Sequence, residues 1–596
     1  MADERFNARP SFRDDLPWTQ LFRTFRVALD PRKLLLAAAG ILVMAAGWFL
    51  LSWACYNLWT KPDKPEALPS NMDIQKKKGV TEVQATEELA RMTRERDKDF
   101  DESVDRWTQL HYLAGSGETT VTYSDGHTRR VWGGRLRTMP WYEERGPNPY
   151  RLVTSPEKPW ERGDFAGWFI KHEIPVLIEP LIKFLEPIIY LLNPQTGSFT
   201  RIYLLLIIVW TLATWALFGG AITRMAAVEL AGKEPVTMRQ AVRFTLKRYL
   251  SYLCGPLVPF ALIAVLVVVS IVFGVIQLIP FVGDIVNGIL WPLILLIGLG
   301  MALLLVGLVG YPLMYPTIST EGSDTLDALS RSYNYVYQSP WQFIWLSLVA
   351  ICYGAAVVFF VGFVGSLTVY LGKWGMSNTP GIQSFNRSPE YLFIYTPTSF
   401  GWRETLLEGS RGARLTTLQE EELALLRRTE DEKARDPDYE SKLKTVRDLK
   451  ASAEADYNNW LGEFYWYNKV GAALVAFWVT LLFLMVLGFG YSFFWTTSTM
   501  IYLLMRRKVD DTDLDEVYLE EEDTVDPFAG PGPTPSTSLP MTTPPAAEKK
   551  DLVDLTVRSD KPAPPPPQPA PPPVPAAPPP EPAPAASEPP PAPPAS

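Results

Sequence analysis

The chain has 596 residues, 47% apolar and 20% charged, with 20 Trp, 25 Tyr and 29 Phe. Its apolar residues gather in long uninterrupted runs, which excludes a single compact soluble domain and marks membrane spans. The net charge of −9 belongs to Val509–Ser596, where 16 acidic side chains meet 4 basic ones. The remainder is +3, which excludes a strongly basic nucleic-acid footprint.

Cys55, Cys254 and Cys352 all lie in or at the ends of apolar runs, so neither a disulfide framework nor a Cys-x-x-Cys motif is expected. With His111, His127 and His172 as the only histidines, no metal site is expected, and no cofactor. Metalloprotease, P-loop, Rossmann and serine-hydrolase motifs are absent, and no catalytic constellation emerges. Ser116 reads as part of a flexible turn. His172-Glu173 has no nucleophile or metal partner at a legible spacing and reads as a solvated helix end.

At the N-terminus, residues 1–33 place Trp18, Phe22, Phe25 and Leu29 on one helical stripe with Arg23 and Arg26 beside it. That pattern predicts a helix lying in the membrane interface, ended by Asp30-Pro31. Six spans then follow: Leu34–Tyr56, Ile202–Thr223, Leu253–Ile279, Ile289–Tyr315, Phe343–Leu371 and Val470–Met505. Each is long enough to cross a bilayer as a helix, and none carries Asp, Glu, Lys, Arg or His in its interior. Basic clusters precede the first span (Arg23, Arg26, Arg32, Lys33), separate the second from the third (Arg224 to Arg248) and follow the sixth (Arg506-Arg507-Lys508). An even number of spans puts all three on one side, so both termini are expected in the cytoplasm.

The first extracytoplasmic segment, 57–200, is expected to be small and α+β. It carries a charged helix near Thr81–Tyr112 and a β-hairpin near 119–134, where Asp125-Gly126 between β-formers predicts a two-residue turn. Ile174–Leu192 competes for a seventh span. Glu179, Lys183 and Glu186, spaced 4 and 3 apart, share one helical face with prolines nearby, so an interfacial amphipathic helix with Glu179 and Lys183 as an i,i+4 pair is the preferred reading. The second extracytoplasmic segment, 372–469, predicts a helical hairpin: Arg414–Arg435, a stop at Asp436-Pro437-Asp438, then a helix running unbroken into the sixth span. Its stripe of Val446, Leu449, Ala453, Tyr457 and Trp460 predicts either the packed edge of that hairpin or a partner-binding face.

The tail, 509–596, is acidic near its start and holds 20 prolines in Pro562–Pro594. It predicts disorder with polyproline II stretches, and Leu552, Val553 and Leu555 are candidate partner contacts.

Residues 202–371 contain a repeated unit of span, short amphipathic helix and span. When Ala241 is aligned with Ala328, the apolar residues Val242, Leu246, Tyr249 and Leu250 coincide with Leu329, Tyr333, Val336 and Tyr337. Thr237 with Gln240 forms a capping box in the first copy, and Asp324 with Asp327 a related start in the second. Arg239, Arg243 and Lys247 make the first copy basic, a second candidate membrane-interface row beside Trp18, Phe22 and Phe25. With its cytoplasmic segments GKEPVTMRQAVRFTLKRYL and EGSDTLDALSRSYNYVYQSPWQF, this region resembles a broad group of poorly characterised bacterial polytopic membrane proteins, such as the membrane region associated with some glycerophosphodiester phosphodiesterases. The resemblance implies a bacterial inner-membrane protein and transfers no catalytic residue.

The sequence therefore predicts a mainly α, six-helix polytopic integral membrane protein with a disordered Pro-rich C-terminal tail. The expected function is a non-enzymatic scaffold or assembly component that meets membrane lipids directly, and protein partners through its tail or extracytoplasmic segments. The alternative is a transporter or lipid-handling permease not driven by proton coupling inside the membrane.

Overall fold

The computed structural model describes residues 16–62, 81–143, 145–154, 165–170, 174–382, 389–408, 410, 414–415, 418–419, 421–422, 425 and 438–519. In chain order its principal helices are α1 (Pro31–Asn57), α2 (Glu82–Ala114), α3 (Glu179–Leu192), α4 (Ser198–Leu230), α5 (Met238–Lys247), α6 (Tyr249–Gln277), α7 (Val282–Gly307), α8 (Tyr311–Glu321), α9 (Thr325–Gln338), α10 (Pro340–Ser377), α11 (Tyr439–Gly462) and α12 (Trp466–Asp510). Six stretches are long and apolar enough to cross a bilayer: α1, α4, α6, α7 continued by α8, α10 and α12. This is the pattern of a multi-pass membrane protein. Every span outruns its apolar core by some residues, because a nucleated helix propagates cheaply into polar sequence. α1 begins sharply: the Asp30 carboxylate accepts from Arg32 N at 3.0 Å, with Pro31 in the first turn. α7 gives way to a 3-10 turn, Leu308–Gly310, before α8. Pro312 has no N–H to give the Leu308 carbonyl, so the ladder tightens there.

The repeat is visible in three dimensions. α4, α5 and α6 correspond to α8, α9 and α10. Gly232 and Gly322 both adopt the left-handed region just past α4 and α8, at φ +70° and +66°. Thr237 and Gln240 make the expected capping box, and the Asp324 side chain accepts from Asp327 N. Ala241 and Ala328 are both buried. A further correspondence shows only in three dimensions. A Cβ on Gly220 would meet the Thr245 methyl at 2.6 Å, and one on Gly310 would meet Val336 at 2.8 Å and Ser332 O at 3.3 Å. In each copy a glycine twelve residues before the left-handed one lets the amphipathic helix press against its span.

The centre of the bundle is formed by α1, α4, α8 and α12. Trp215 stacks on Tyr491 at 4.7 Å and Tyr315 on Trp495 at 4.8 Å. α12 crosses α1 at Gly488, where a Cβ would sit 3.1 Å from Leu34 O. By contrast α7 packs mainly on α6, whose own N-terminal part rests on α4, α8 and α9. Only 6% of the α6 apolar window is buried in the protein, against 56% for α1 and α4, so most of its apolar surface is left uncovered by the chain.

At the end of the bundle remote from Lys33 and Arg506, here the loop end, α2 opens with a capping box of Thr81 and Gln84. Strands β1 (Gly117–Thr122) and β2 (Thr128–Gly133) pair antiparallel from Gly117↔Gly133 to Thr122↔Thr128. The turn is longer than expected: Tyr123 N donates to His127 O and Gly126 N to Tyr123 O. Gly126 alone has positive φ there, as in a three-residue loop closed by a bulge. His111 is buried, bonds Tyr56 Oη at 2.9 Å and Gly117 O at 3.3 Å, and stacks on Trp107. It thereby joins α1, α2 and β1.

Much of the α11 stripe packs within the chain, although Leu449 stays exposed. Val446 packs with Leu425, Tyr439 and Leu443, Ala453 with Leu415 and Leu418, and Trp460 against the cluster of Phe393, Leu406 and Leu407. Val446 and Ala453 are buried by these contacts and Trp460 partly so, as the packed-edge reading expects. Nor does α11 run into the last span: it stops at Gly462, and α12 starts anew at Trp466 behind a capping box of Tyr465 and Asn468. Most of Arg414–Arg435 lies outside the described residues.

Candidate functional site: an ion network inside the bundle

α3 carries three charges, and each finds a partner in the loop that precedes it. The Arg145 guanidinium grips Glu179 in bidentate fashion, Nε to Oε2 at 2.8 Å and Nη2 to Oε1 at 2.9 Å. The same Nη2 reaches Glu143 Oε2 at 2.8 Å, and Nη1 donates to Ser399 Oγ at 3.0 Å and to the Pro140 carbonyl. Lys183 Nζ donates to Glu143 Oε1 at 2.8 Å, and Arg135 Nε to Glu186 Oε1 at 2.6 Å. Three cations thus balance three carboxylates, with the Arg145 side chain only 5% exposed. Such planar, forked pairing suits arginine and not lysine.

The network lies against the helix bundle. α3 packs back along α4, and its Phe184 stacks on Tyr311 at 5.0 Å. Phe184 and Pro180 line a small cavity with Thr211 and Trp215, near the middle of α4. Lys183 stands over the Trp48 ring at 5.6 Å, and Trp48 is nine residues, about 14 Å, inside the end of α1. At 14 residues α3 is about 21 Å long, too short to cross a bilayer. The charges of Glu179, Lys183 and Glu186 face protein partners, and Glu179 pairs with Arg145 instead of with Lys183 as its spacing predicted.

Ser399 and Thr398 bring the second loop-end segment to the same place. Thr398 N donates to Trp141 O at 3.0 Å, and Asn148 Nδ2 to Thr405 Oγ1 at 3.0 Å. Arg447 approaches Glu118 at 3.9 Å, linking α11 to β1. Beside Arg145 lies a cavity of about 20 Å³, enough to hold a water. Among the described residues no group of His, Cys, Asp and Glu stands at metal-binding spacing.

Burial pushes the Glu143 carboxyl up, but the Lys183 ammonium and the Arg145 guanidinium outweigh it and hold Glu143 below its ordinary 4.5. A carboxylate lowered in this way stabilises the fold above the unfolded value and loses that contribution as pH falls through the folded one. The protection factors of amides in 140–154, which divide out the intrinsic pH dependence of exchange, are therefore expected to be constant from pH 7 to 5 and to fall below about pH 4.5. A fall already at pH 6 would mean that another group controls this loop.

A second polar centre occupies the opposite, tail end. Lys33, fully buried, donates to Glu229 at 2.6 Å and to Val27 O at 2.7 Å. Glu321 accepts from Tyr502 at 2.7 Å, Arg331 at 3.2 Å and Arg506 at 3.3 Å. Arg506 also grips the carbonyls of Asp513 and Glu516, Arg224 grips that of Tyr518, and Tyr518 N donates to Thr320 O at 2.7 Å. The chain from Asp511 to Leu519 is thus a strap fixed across the span ends, and the expectation of a disordered tail from 509 is corrected at this start. Asp511, at φ +52°, ends α12 and turns the chain into the strap. Leu552, Val553 and Leu555, and also His172-Glu173, lie outside the described residues.

Of the predicted membrane-interface residues, Trp18 packs against the cluster that contains Met500. Phe25 meets Phe489 edge-on, while Phe22 remains 47% exposed beside Tyr353. Arg239, Arg243 and Lys247 are exposed on α5. Compared with known proteins, the chain matches no family, no curated protein and no solved structure.

Proposed function

We propose that this protein is a non-enzymatic membrane scaffold that holds components on both sides of a bacterial inner membrane, with both termini in the cytoplasm. One observation carries the reading: the Arg145 network fastens the 57–200 and 372–469 segments to each other and into the bundle, with every charge matched. Ionisable groups at membrane depth usually mark a transport or proton pathway. Here each is committed to a fixed partner, which favours mechanical coupling over proton movement. The strap gives the Pro-rich tail a fixed point of departure, as a tether requires.

The test is isolation from native membranes of the full chain and of a chain ending at Leu519, with co-isolated proteins identified by mass spectrometry. The truncation point keeps the strap and so spares the folded body. Loss of a stoichiometric protein partner with the tail supports the tether, and retention of one by both forms moves the contact to the loop-end segments. Recovery of a specific lipid or small molecule alone, in both forms, contradicts the scaffold.

A lipid-handling permease is the second reading, favoured by the α6–α7 pair that stands open to the bilayer and by Pro256 and Pro259 at its packed base. On that reading collapse of the proton gradient leaves transport unchanged.

A further inference from the structure

α5 and α9 occupy equivalent places in the two repeats, each joining the ends of two spans, and they bury equivalent faces. α5 turns Ala241, Phe244 and Thr245 inward; α9 turns Ala328, Ser332, Tyr335 and Val336 inward. Their outward faces differ in charge. α9 has one basic residue, Arg331, and it is tied to Glu321 and Asp327. α5 has three, Arg239, Arg243 and Lys247, and no acidic residue. Spaced four apart, the three form one exposed row. Arg239 and Arg243 make no ion pair among the described residues.

Beside that row the same helix and the first turn of α6 leave Leu246 57% and Leu250 70% exposed. A basic row flanked by apolar side chains, at the point where two spans leave the bilayer, matches the layering of a lipid leaflet: phosphate outermost, acyl chain beneath. A soluble acidic partner would account for the arginines but would leave the leucines uncovered.

We propose that the outward face of α5 is a docking site for the headgroups of anionic phospholipids. Arg239, Arg243 and Lys247 take the phosphates, and Leu246 and Leu250 lie against the acyl chains. α9, which lacks the row, does not share the preference. The inference stands under either reading of function, since both keep α5 at the bilayer surface.

The experiment titrates detergent-solubilised full-length protein with dioleoyl-phosphatidylglycerol and, separately, dioleoyl-phosphatidylcholine, reading bound lipid by native mass spectrometry. The wild type is expected to prefer phosphatidylglycerol by about tenfold or more, and less so as salt rises. The combined variant Arg239→Gln, Arg243→Gln, Lys247→Gln is expected to bring that preference near unity while its lipid-free melting temperature stays unchanged. Arg331→Gln on α9 is expected to leave the preference intact. An equal preference in wild type and triple variant, or none in the wild type, overturns the proposal. So does an acidic peptide that displaces phosphatidylglycerol at equal concentration, because the row would then be reading charge alone.

Discussion

Replacing Arg145 by methionine is expected to destabilise the protein by about 3–5 kcal/mol, because it strands the Glu179 and Glu143 carboxylates in a buried place. Lys183 still neutralises Glu143 at 2.8 Å, so the larger share of the loss falls on Glu179, whose two oxygens both bond Arg145. The check is a thermal melt of both proteins in one detergent. The double variant Arg145→Met, Glu179→Met is expected to recover part of the loss, since it removes both members of the pair and leaves no lone buried charge. A single variant as stable as wild type would mean that the network is solvated and fastens nothing.

Glu321→Ala is expected to produce the second-largest effect, about 3 kcal/mol, at the other end of the bundle. It removes the common acceptor of Tyr502, Arg331 and Arg506. Arg506 is then free to leave the Asp513 and Glu516 carbonyls, so the strap should detach before the spans separate. The sensitive probe is hydrogen exchange at the Tyr518 amide, which bonds Thr320 O in the native protein. Fast exchange there with slow exchange in α12 is the expected pattern, whereas an unchanged Tyr518 amide would show that Arg224 holds the strap alone.

The spans were legible because burial in hydrocarbon demands an apolar residue at nearly every position, a signal that needs no partner to be read. Local chemistry was legible too: the capping box at Thr237 and the start at Asp324 both depend on neighbours within four residues. The Arg145 network was not. It is assembled from 135–145, 179–186 and Ser399, and no periodicity links an arginine in a loop to a carboxylate 34 residues on. Seen alone, Glu179, Lys183 and Glu186 form an amphipathic face, and such a face is equally satisfied by water or by a charged loop. The α11 stripe left a similar choice open, since a periodic apolar edge records burial without naming what covers it. Asp125-Gly126 announced a turn correctly, but its loop length depended on the pairing of Tyr123 with His127.

These contacts make the two loop-end segments and six spans one body, with the strap at its other end. A partner bound to α2 or α11 would meet a surface fixed relative to the point where the tail departs, and the scaffold reading needs that geometry. It also needs the two ends to face opposite compartments. The direct test uses full-length protein in intact cells with Cys55, Cys254 and Cys352 replaced by alanine and single cysteines introduced as Lys98→Cys on α2, Lys444→Cys on α11 or Asp515→Cys in the strap. A membrane-impermeant maleimide is predicted to label the first two from outside, and Asp515→Cys only after the membrane is opened. Labelling of Asp515→Cys in intact cells, or opposite behaviour of Lys98→Cys and Lys444→Cys, would contradict the account.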